Sequence, residues 1–418
     1  MEMFFIPAVY NGAKMRYAVG QQTRGGASMN EILRLSGEAA EKAVALRRAI
    51  HRHPEMGNQE HKTSALVVKT LESLGWAVER PVGTAVAGTL KGALPGPTVA
   101  LRADMDALRI DEATGLPFAS EVPGVMHACG HDFHTAGLLG AAMVLSRCRD
   151  ELRGAVKLLF QPDEEGDGGA KRMLEAGCLD GVDAVFGAHV DPDLPAGTIG
   201  VKYGKMYAAS DIFKVVVRGE GCHGASPSEG IDAIAIGAQV VTALQQIVSR
   251  RVAPTDAAVV SVGTFHGGNQ LNAIAETCAL EGIIRTLGPE TRQKVKGLFT
   301  DTVEGVCKAM GAKAEIVMRE SYPGVVNDDG MVGYIAETAR RTLGAEKVAV
   351  LTEPTMATED FGYFTQAVPG AFYKIGVRNP DIGAVWPIHS PRFVADEAAM
   401  GNLIAVHAAA ALGSPKKY

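Results

Sequence analysis

The chain reads as an α/β protein whose catalytic unit is interrupted by a smaller ferredoxin-like α+β unit. Three observations carry that reading. Short, continuously apolar runs alternate with helical stretches over the first half, the pattern of a sheet covered on both faces. Near residue 207 the order changes to strand, helix, strand, strand, helix, strand. Beyond residue 320 the α/β character returns.

Glu38–Ile50 and His61–Leu74 carry apolar residues at helical spacing, and Gly75 supplies a stop for the second. Ala85–Leu90, Thr98–Ala103, Ala155–Phe160 and Val182–Ala188 are the strand runs, with a long helix over Thr135–Cys148 between the second and third. Next, Asp211–Val217, Ala258–Phe265, Cys278–Leu287 and Lys313–Arg319 read as strands, and Asp232–Arg250 and Glu290–Met310 as helices. This block has the size of a domain. The helix Gly330–Leu343, the strand Phe372–Gly376 and the helix Asp396–Leu412 complete the chain. The expected division is 29–206 and 321–418 for the catalytic unit and 207–320 for the inserted one. Residues 1–28 are expected to be a leader or an upstream start, because the stretch after Met29 is the more natural beginning.

A length of 418 residues is ample for a large core. With 47% hydrophobic and 21% charged residues and a net charge of −6, the composition is that of a globular protein and points to neither nucleic acid nor an anionic membrane. No apolar run approaches the roughly 20 residues of a membrane span, and the opening residues lack a basic secretory n-region. Six scattered cysteines without a C-x-x-C pair are expected to be free thiols in a reducing cytoplasm.

The chemistry sits at strand ends. Asp104 and Asp106 follow the strand Thr98–Ala103, where α/β sheets place ligands. Met126-His-Ala-Cys-Gly-His-Asp-Phe-His134 offers Cys129 and His131 from one tight loop before a helix, whose N-terminus is expected to favour the thiolate. His134 is expected to support the site rather than ligate. Asp163-Glu164-Glu165 follow Leu158–Phe160, and a natural division gives one carboxylate to a metal and leaves a neighbour free as a base. His189 follows Ala184–Ala188 and is expected at a strand end; His389 lies in Trp386–Pro391. Cys129, His131, Glu165, His189 and His389 make five ligands, enough for two metals with open positions.

These runs resemble the M20 metallopeptidase family, most closely its amidohydrolase branch of hippurate hydrolases, N-acyl-amino-acid amidohydrolases and indoleacetate–amino-acid hydrolases. The matching motifs are Leu101–Leu108, His127–Asp132, Gln161–Gly166, Gly187–His189, His223–Ala225, Glu359–Phe361 and His389–Pro391. The resemblance implies a two-metal, aminopeptidase-like catalytic domain with an inserted ferredoxin-like lid that mediates a homodimer. It implies Cys129, His131, Glu165, His189 and His389 as ligands, Cys129 bridging, with Glu164 as general base and Asp104 orienting a ligand. Zinc or manganese would be the first choice of metal, with cobalt or nickel also suited to such donors. His223 would reach the partner's site to stabilise an oxyanion, and Asn272 and Arg285 would contact the small-molecule substrate. Other branches place a histidine ligand where this chain has Arg102. Phe133, Cys222, Ser228 and the run Asn269–Glu276 depart from the common pattern near the expected substrate. The implied reaction is hydrolysis of the amide of an N-acyl amino acid; a dipeptidase or aromatic aminohydrolase is the neighbouring alternative. A non-catalytic binding protein and a structural zinc site at Cys129 and His131 are the rival classes.

Overall fold

The structure is a computed structural model that describes residues 28–413 and 415. The expected leader therefore lies, up to residue 27, outside the described residues. The first helix, α1 (Met29–Arg52), begins after Ser28, whose hydroxyl accepts from the Glu31 amide as an N-cap. Then come α2 (His61–Ser73), β1 (Ala77–Glu79), β2 (Val86–Lys91), β3 (Leu94–Asp104), α3 (His131–Arg147), β4 (Arg153–Gln161), α4 (Gly169–Glu175), β5 (Ala184–Pro195), β6 (Ile199–Val201) and β7 (Gly204–Tyr207). The middle segment carries β8 (Ala209–Arg218), α5 (Ala233–Gln246), β9 (Ala258–Gly267), β10 (Thr277–Thr286), α6 (Pro289–Ala309) and β11 (Lys313–Glu320). The chain closes with β12 (Val325–Asn327), α7 (Asp329–Leu343), β13 (Val348–Val350), α8 (Gly362–Ala367), β14 (Gly370–Arg378) and α9 (Met400–Leu412).

The larger sheet has eight strands in the order β1-β2-β4-β3-β5-β14-β6-β13. Its centre, β4-β3-β5-β14, is parallel, so the strands' C-terminal ends emerge together on one edge. These strands read as near-continuous buried runs because α1, α3 and α9 cover one face, joined to the sheet in one apolar cluster. Helix α3 is buried almost all round between sheet and neighbouring helices. Close approach is bought with small residues: a Cβ on Gly140 would stand 2.4 Å from the Ile404 side chain of α9.

The middle segment builds its own four-stranded antiparallel sheet, in the order β11-β8-β10-β9. Phe213, Val215 and Val217 alternate inward on β8 and meet α5 and α6 in a separate apolar cluster. β7 and β12, which lead into and out of this segment, pair with each other.

Among the boundaries that differ from the sequence reading, three bear on the site or the packing around it. The α3 helix starts at His131 rather than Thr135, because Gly130 in the left-handed region caps it early. β5 runs on to Pro195, so His189 lies within a strand instead of at its end: β14 pairs with it beyond Ala188. The last helix starts at Met400, after a 3-10 turn over Glu397–Ala399.

Phe299 of α6 is fully buried, with its ring centroid 4.5 Å from that of Phe213. Phe299→Ala is expected to cost about 3–5 kcal/mol by loss of transfer energy and cavity formation, read as a lower midpoint in urea unfolding.

Candidate metal centre

Four segments bring donors to the C-terminal edge of the large sheet. The loop before α3 supplies Cys129 and the helix start supplies His131. The turn after β4 supplies Glu164 and Glu165, β5 supplies His189, and the loop before α9 supplies His389. Gly130 makes the first loop fit. Its φ is +80°, and a Cβ there would stand 2.6 Å from Val190 of β5, so no other residue suits both demands. His389 also adopts a positive φ of 63°, and its amide donates to the Ala128 carbonyl at 2.8 Å, tying the late loop to the cysteine loop.

The donor atoms stand close together. Cys129 Sγ is 3.4 Å from His189 Nε2 and 3.3 Å from His389 Nε2. Glu165 Oε1 is 3.1 Å from His389 Nε2 and 4.0 Å from His131 Nε2. Two sets of potential ligands, Cys129–His131–His189 and Cys129–Glu165–His389, share the thiol. His131 Nε2 and Glu165 Oε1 are buried without a hydrogen-bond partner. Such orphans are costly unless something unrepresented satisfies them, and a divalent cation fits this donor set.

Second contacts fix which nitrogen faces the cluster. His189 Nδ1 donates to the Val190 carbonyl at 2.7 Å, leaving the Nε2 lone pair toward Cys129. His131 Nδ1 lies 3.1 Å from Asp106, which leaves its Nε2 inward. His134 differs. Its Nε2 accepts from the Val190 amide at 2.8 Å and its Nδ1 donates to Asp104 at 2.6 Å, so both nitrogens are spent and it supports rather than ligates. Asp104 is 3.7 Å from His131 Nε2 and bonds closely to His134 and Arg102 instead, so the contact that orients His131 is Asp106.

The field here is strongly negative. Burial opposes charging of His131, yet Asp104, Asp106 and Glu165 outweigh it and push the imidazole up to about 10. Burial, then Glu165 and Glu164, push the Cys129 thiol up, opposite to the helix-terminus effect expected from the sequence. Burial and then Lys374 hold His189 neutral, the form that ligates. Glu164 is raised by burial and by Glu359, Glu165 and Asp360.

Asp163 takes no part in the cluster. Its φ is 57°, and its carboxylate accepts from Asn58 at 2.8 Å and Arg172 at 2.9 Å. Tyr322 donates to the carbonyls of Glu164 and Gly166 at 2.7 and 2.8 Å, clamping the turn that presents the glutamates.

His223, Asn272 and Arg285 are placed elsewhere. His223 is exposed, bridged to Ala273, and its Nδ1 accepts from the Ala225 amide at 3.1 Å. Asn272 is exposed beside it, its carbonyl accepting from Gly224. Arg285 is half-buried in β10, with Nη1 lacking a hydrogen-bond partner. Among the described residues, none of the three is hydrogen-bonded or ion-paired to the five-donor cluster.

Sequence reasoning gave no role to Glu359 and Asp360. Arg102 is fully buried and reaches Asp104 at 2.6 Å, Asp360 at 2.9 Å, Glu359 at 3.0 Å and Gln161 at 2.8 Å. An arginine inside an apolar strand run was the available signal, since a buried guanidinium needs acid partners. Asp132, next to His131, was also missed; Arg47 holds it at 2.9 Å and His51 at 2.8 Å.

Residues 100–413 match the family described as Peptidase family M20/M25/M40. The chain belongs to that family. It is 42% identical over 359 residues to thermostable carboxypeptidase 1 of Saccharolobus solfataricus, covering 85% of this chain and 90% of that one. It is 41% identical to N-acetyl-L-cysteine deacetylase of Bacillus subtilis, covering 89% of each. It is 47% identical over 301 residues to N-acyl-L-amino acid amidohydrolase of Geobacillus stearothermophilus, covering 72% of this chain and 81% of the relative. A solved Bacillus subtilis structure, described as a dinuclear metal-binding peptidase from the M20 family, superposes with a TM-score of 0.80 at 37% identity, over 90% of this chain and 98% of the other.

Burial works against a charged His51, but Asp132 and then Glu112 raise it from 6.5 to about 9, despite Arg47. A folded-state value above the unfolded one stabilises fully below pH 6.5 and is lost as pH rises through about 9. The stability difference between wild type and His51→Gln is therefore expected to be largest near pH 6 and to shrink toward pH 10, measured by denaturant unfolding across that range.

Proposed function

We propose that this chain hydrolyses the amide joining an acyl group to an amino acid, with Glu164 moving the proton. The chain is a metal-dependent hydrolase of amide C–N bonds within its family. One observation carries the finer reading: five side chains of ligating type converge, and a further buried glutamate, Glu164, stands beside His131 and Glu165 with its proton affinity raised by burial. Pure structure needs the first and not the second.

We assign Cys129 as the shared ligand, with His131 and His189 on one side and Glu165 and His389 on the other. Zinc or manganese is the preferred pair, cobalt or nickel the next. Bound there, two divalent ions would polarise the scissile carbonyl and acidify water. Glu164, in a dry and negative setting that raises its proton affinity, takes the proton from the attacking water and returns it to the departing amine. Asp106 and the Val190 carbonyl hold His131 and His189 in the tautomers that ligation requires.

The remaining expectations belong to this reading. Residues 29–206 and 321–418 form the catalytic domain, and 207–320 form an inserted ferredoxin-like lid that dimerises the protein. β9 supports this, because it is an edge strand whose second half is exposed, including Phe265. Across such a dimer His223, Asn272 and Arg285 would serve a partner's site, which accounts for an exposed histidine and an unsatisfied guanidinium. All six cysteines are free, and no helix among the described residues is long and apolar enough to cross a membrane; we place the protein in the cytoplasm. A short peptide with a free C-terminus is a second substrate reading, favoured by the relative named a carboxypeptidase.

Glu164→Gln is expected to lower kcat by about 10²–10⁴ while metal content by mass spectrometry stays at the wild-type level. Near-native turnover would remove Glu164 from its role. A panel of N-acyl amino acids, dipeptides and amino-aromatics, assayed after reconstitution with each metal, is expected to show the highest kcat/KM on the N-acyl amino acids.

A further inference from the structure

Lys374 stands beside the donor cluster and, apart from its electrostatic push on His189, has no function in the scheme above. It lies in β14, in register with His189 of β5 on one side and Gly200 of β6 on the other. Register partners on neighbouring strands project to the same face about 4.8 Å apart. The lysine therefore rises next to the imidazole that approaches Cys129. Gly200 presents no side chain on the opposite flank, and a Cβ there would stand 3.1 Å from the Lys374 Cβ.

Lys374 is half-buried, and its ammonium donates to the hydroxyl of the buried Tyr207, 4.9 Å from that ring's centroid. Among the described residues no carboxylate lies within the 4.0 Å of an ion pair; Asp191, Cys129, Glu359 and Asp193 act on it only at longer range. An ammonium has three donors, and one is used. Desolvating a cation without a counter-ion is costly. With divalent ions in the cluster, a neighbouring cation would be costlier still. A small anion seated between the lysine and the cluster resolves both problems at once. A carboxylate fits: one ammonium and one hydroxyl suit a monoanion, whereas no guanidinium fork or row of amides is present here for a phosphate.

Resting on the amide-hydrolase reading, we propose that Lys374, steadied by Tyr207, is a substrate-binding residue that receives the carboxylate of the substrate and so selects anionic amides.

The test compares wild type, Lys374→Met and Lys374→Arg as metal-loaded proteins on three amides: an N-acetyl amino acid, its neutral carboxamide, and an N-succinyl amino acid carboxamide. Lys374→Met is expected to raise KM about 10- to 100-fold on a carboxylate-bearing substrate, with kcat changed less than about threefold. The neutral carboxamide should be unaffected, and Lys374→Arg should recover most of the loss. Loss on the N-acetyl amino acid places the recognised carboxylate on the amine side; loss on the N-succinyl compound places it on the acyl side. Tyr207→Phe, which keeps the ring, should produce a smaller KM rise on the same substrate only. Equal losses on charged and neutral amides would overturn the proposal, as would no loss, or a carboxylate-specific loss in Arg285→Met alone. Calorimetric titration of the N-acetyl amino acid and its carboxamide separates the two readings. A protein that binds the acid through Lys374 yet cleaves nothing sinks the hydrolase reading and keeps this one. An active enzyme whose affinity for the acid is unchanged in Lys374→Met does the reverse.

Discussion

Lone pairs repel, and this molecule packs five side chains of metal-ligating type into one cluster with nothing of its own to separate them. Sulfur, imidazole nitrogen and carboxylate oxygen stand 3.1–4.0 Å apart. In a site of low dielectric this arrangement is unstable unless positive charge enters. A protonated His131 is the chain's internal answer, and its proton affinity is high for that reason. Divalent ions would be the better answer, since these donors would hold them and they would supply the missing positive charge. Most of the local architecture can be read as support for keeping these atoms close: the left-handed Gly130, the left-handed His389, the Tyr322 clamp and the Val190 peptide shared by two histidines.

The fold was legible where periodicity is strong. The helices α1, α2, α6 and α7 and the strands β2, β3, β4, β8, β9, β10 and β11 fall on the runs read from apolar spacing. Their ends were less legible, because they depend on pairing. β5 outruns its apolar stretch only because β14 offers hydrogen bonds as far as Pro195. The same extension puts Lys374 beside His189, a proximity invisible in sequence because the two residues are far apart along the chain.

Within the site, residue types and their clustering in short runs were enough to nominate the five donors, although His189 lies inside β5 and not at its end. What sequence could not divide was labour among neighbours. Asp104 and Asp106 are two residues apart on one run, yet one pairs with His134 and Arg102 while the other orients His131. Asp163, Glu164 and Glu165 are consecutive, yet backbone strain at Asp163 turns its carboxylate away to Asn58 and Arg172. Such distinctions rest on single dihedral angles and on partners from distant segments, which no local pattern encodes.

Arg102 shows how these pieces depend on one another. Asp104, Glu359, Asp360 and Glu164 are all buried near it, and one guanidinium faces them. Even beside it, burial pushes Asp360 up to about 8 and raises Glu359 and Glu164; without it, these acids would hold their protons more tightly still or draw water into the sheet. Against burial, His131 and then Arg102 hold Asp104 well below the usual carboxylate range, so that it can hold His134. His134 in turn receives the Val190 amide, and the Val190 carbonyl fixes the His189 tautomer. Arg102 thus reaches the imidazole that faces Cys129 through three hydrogen-bonded groups, without touching it. Lysine could not do the same, because a single ammonium lacks the planar fork that bonds Gln161, Asp104 and Asp360 together. The restraint on this position is geometric as much as electrostatic, and it explains how an arginine comes to lie in the middle of a buried strand.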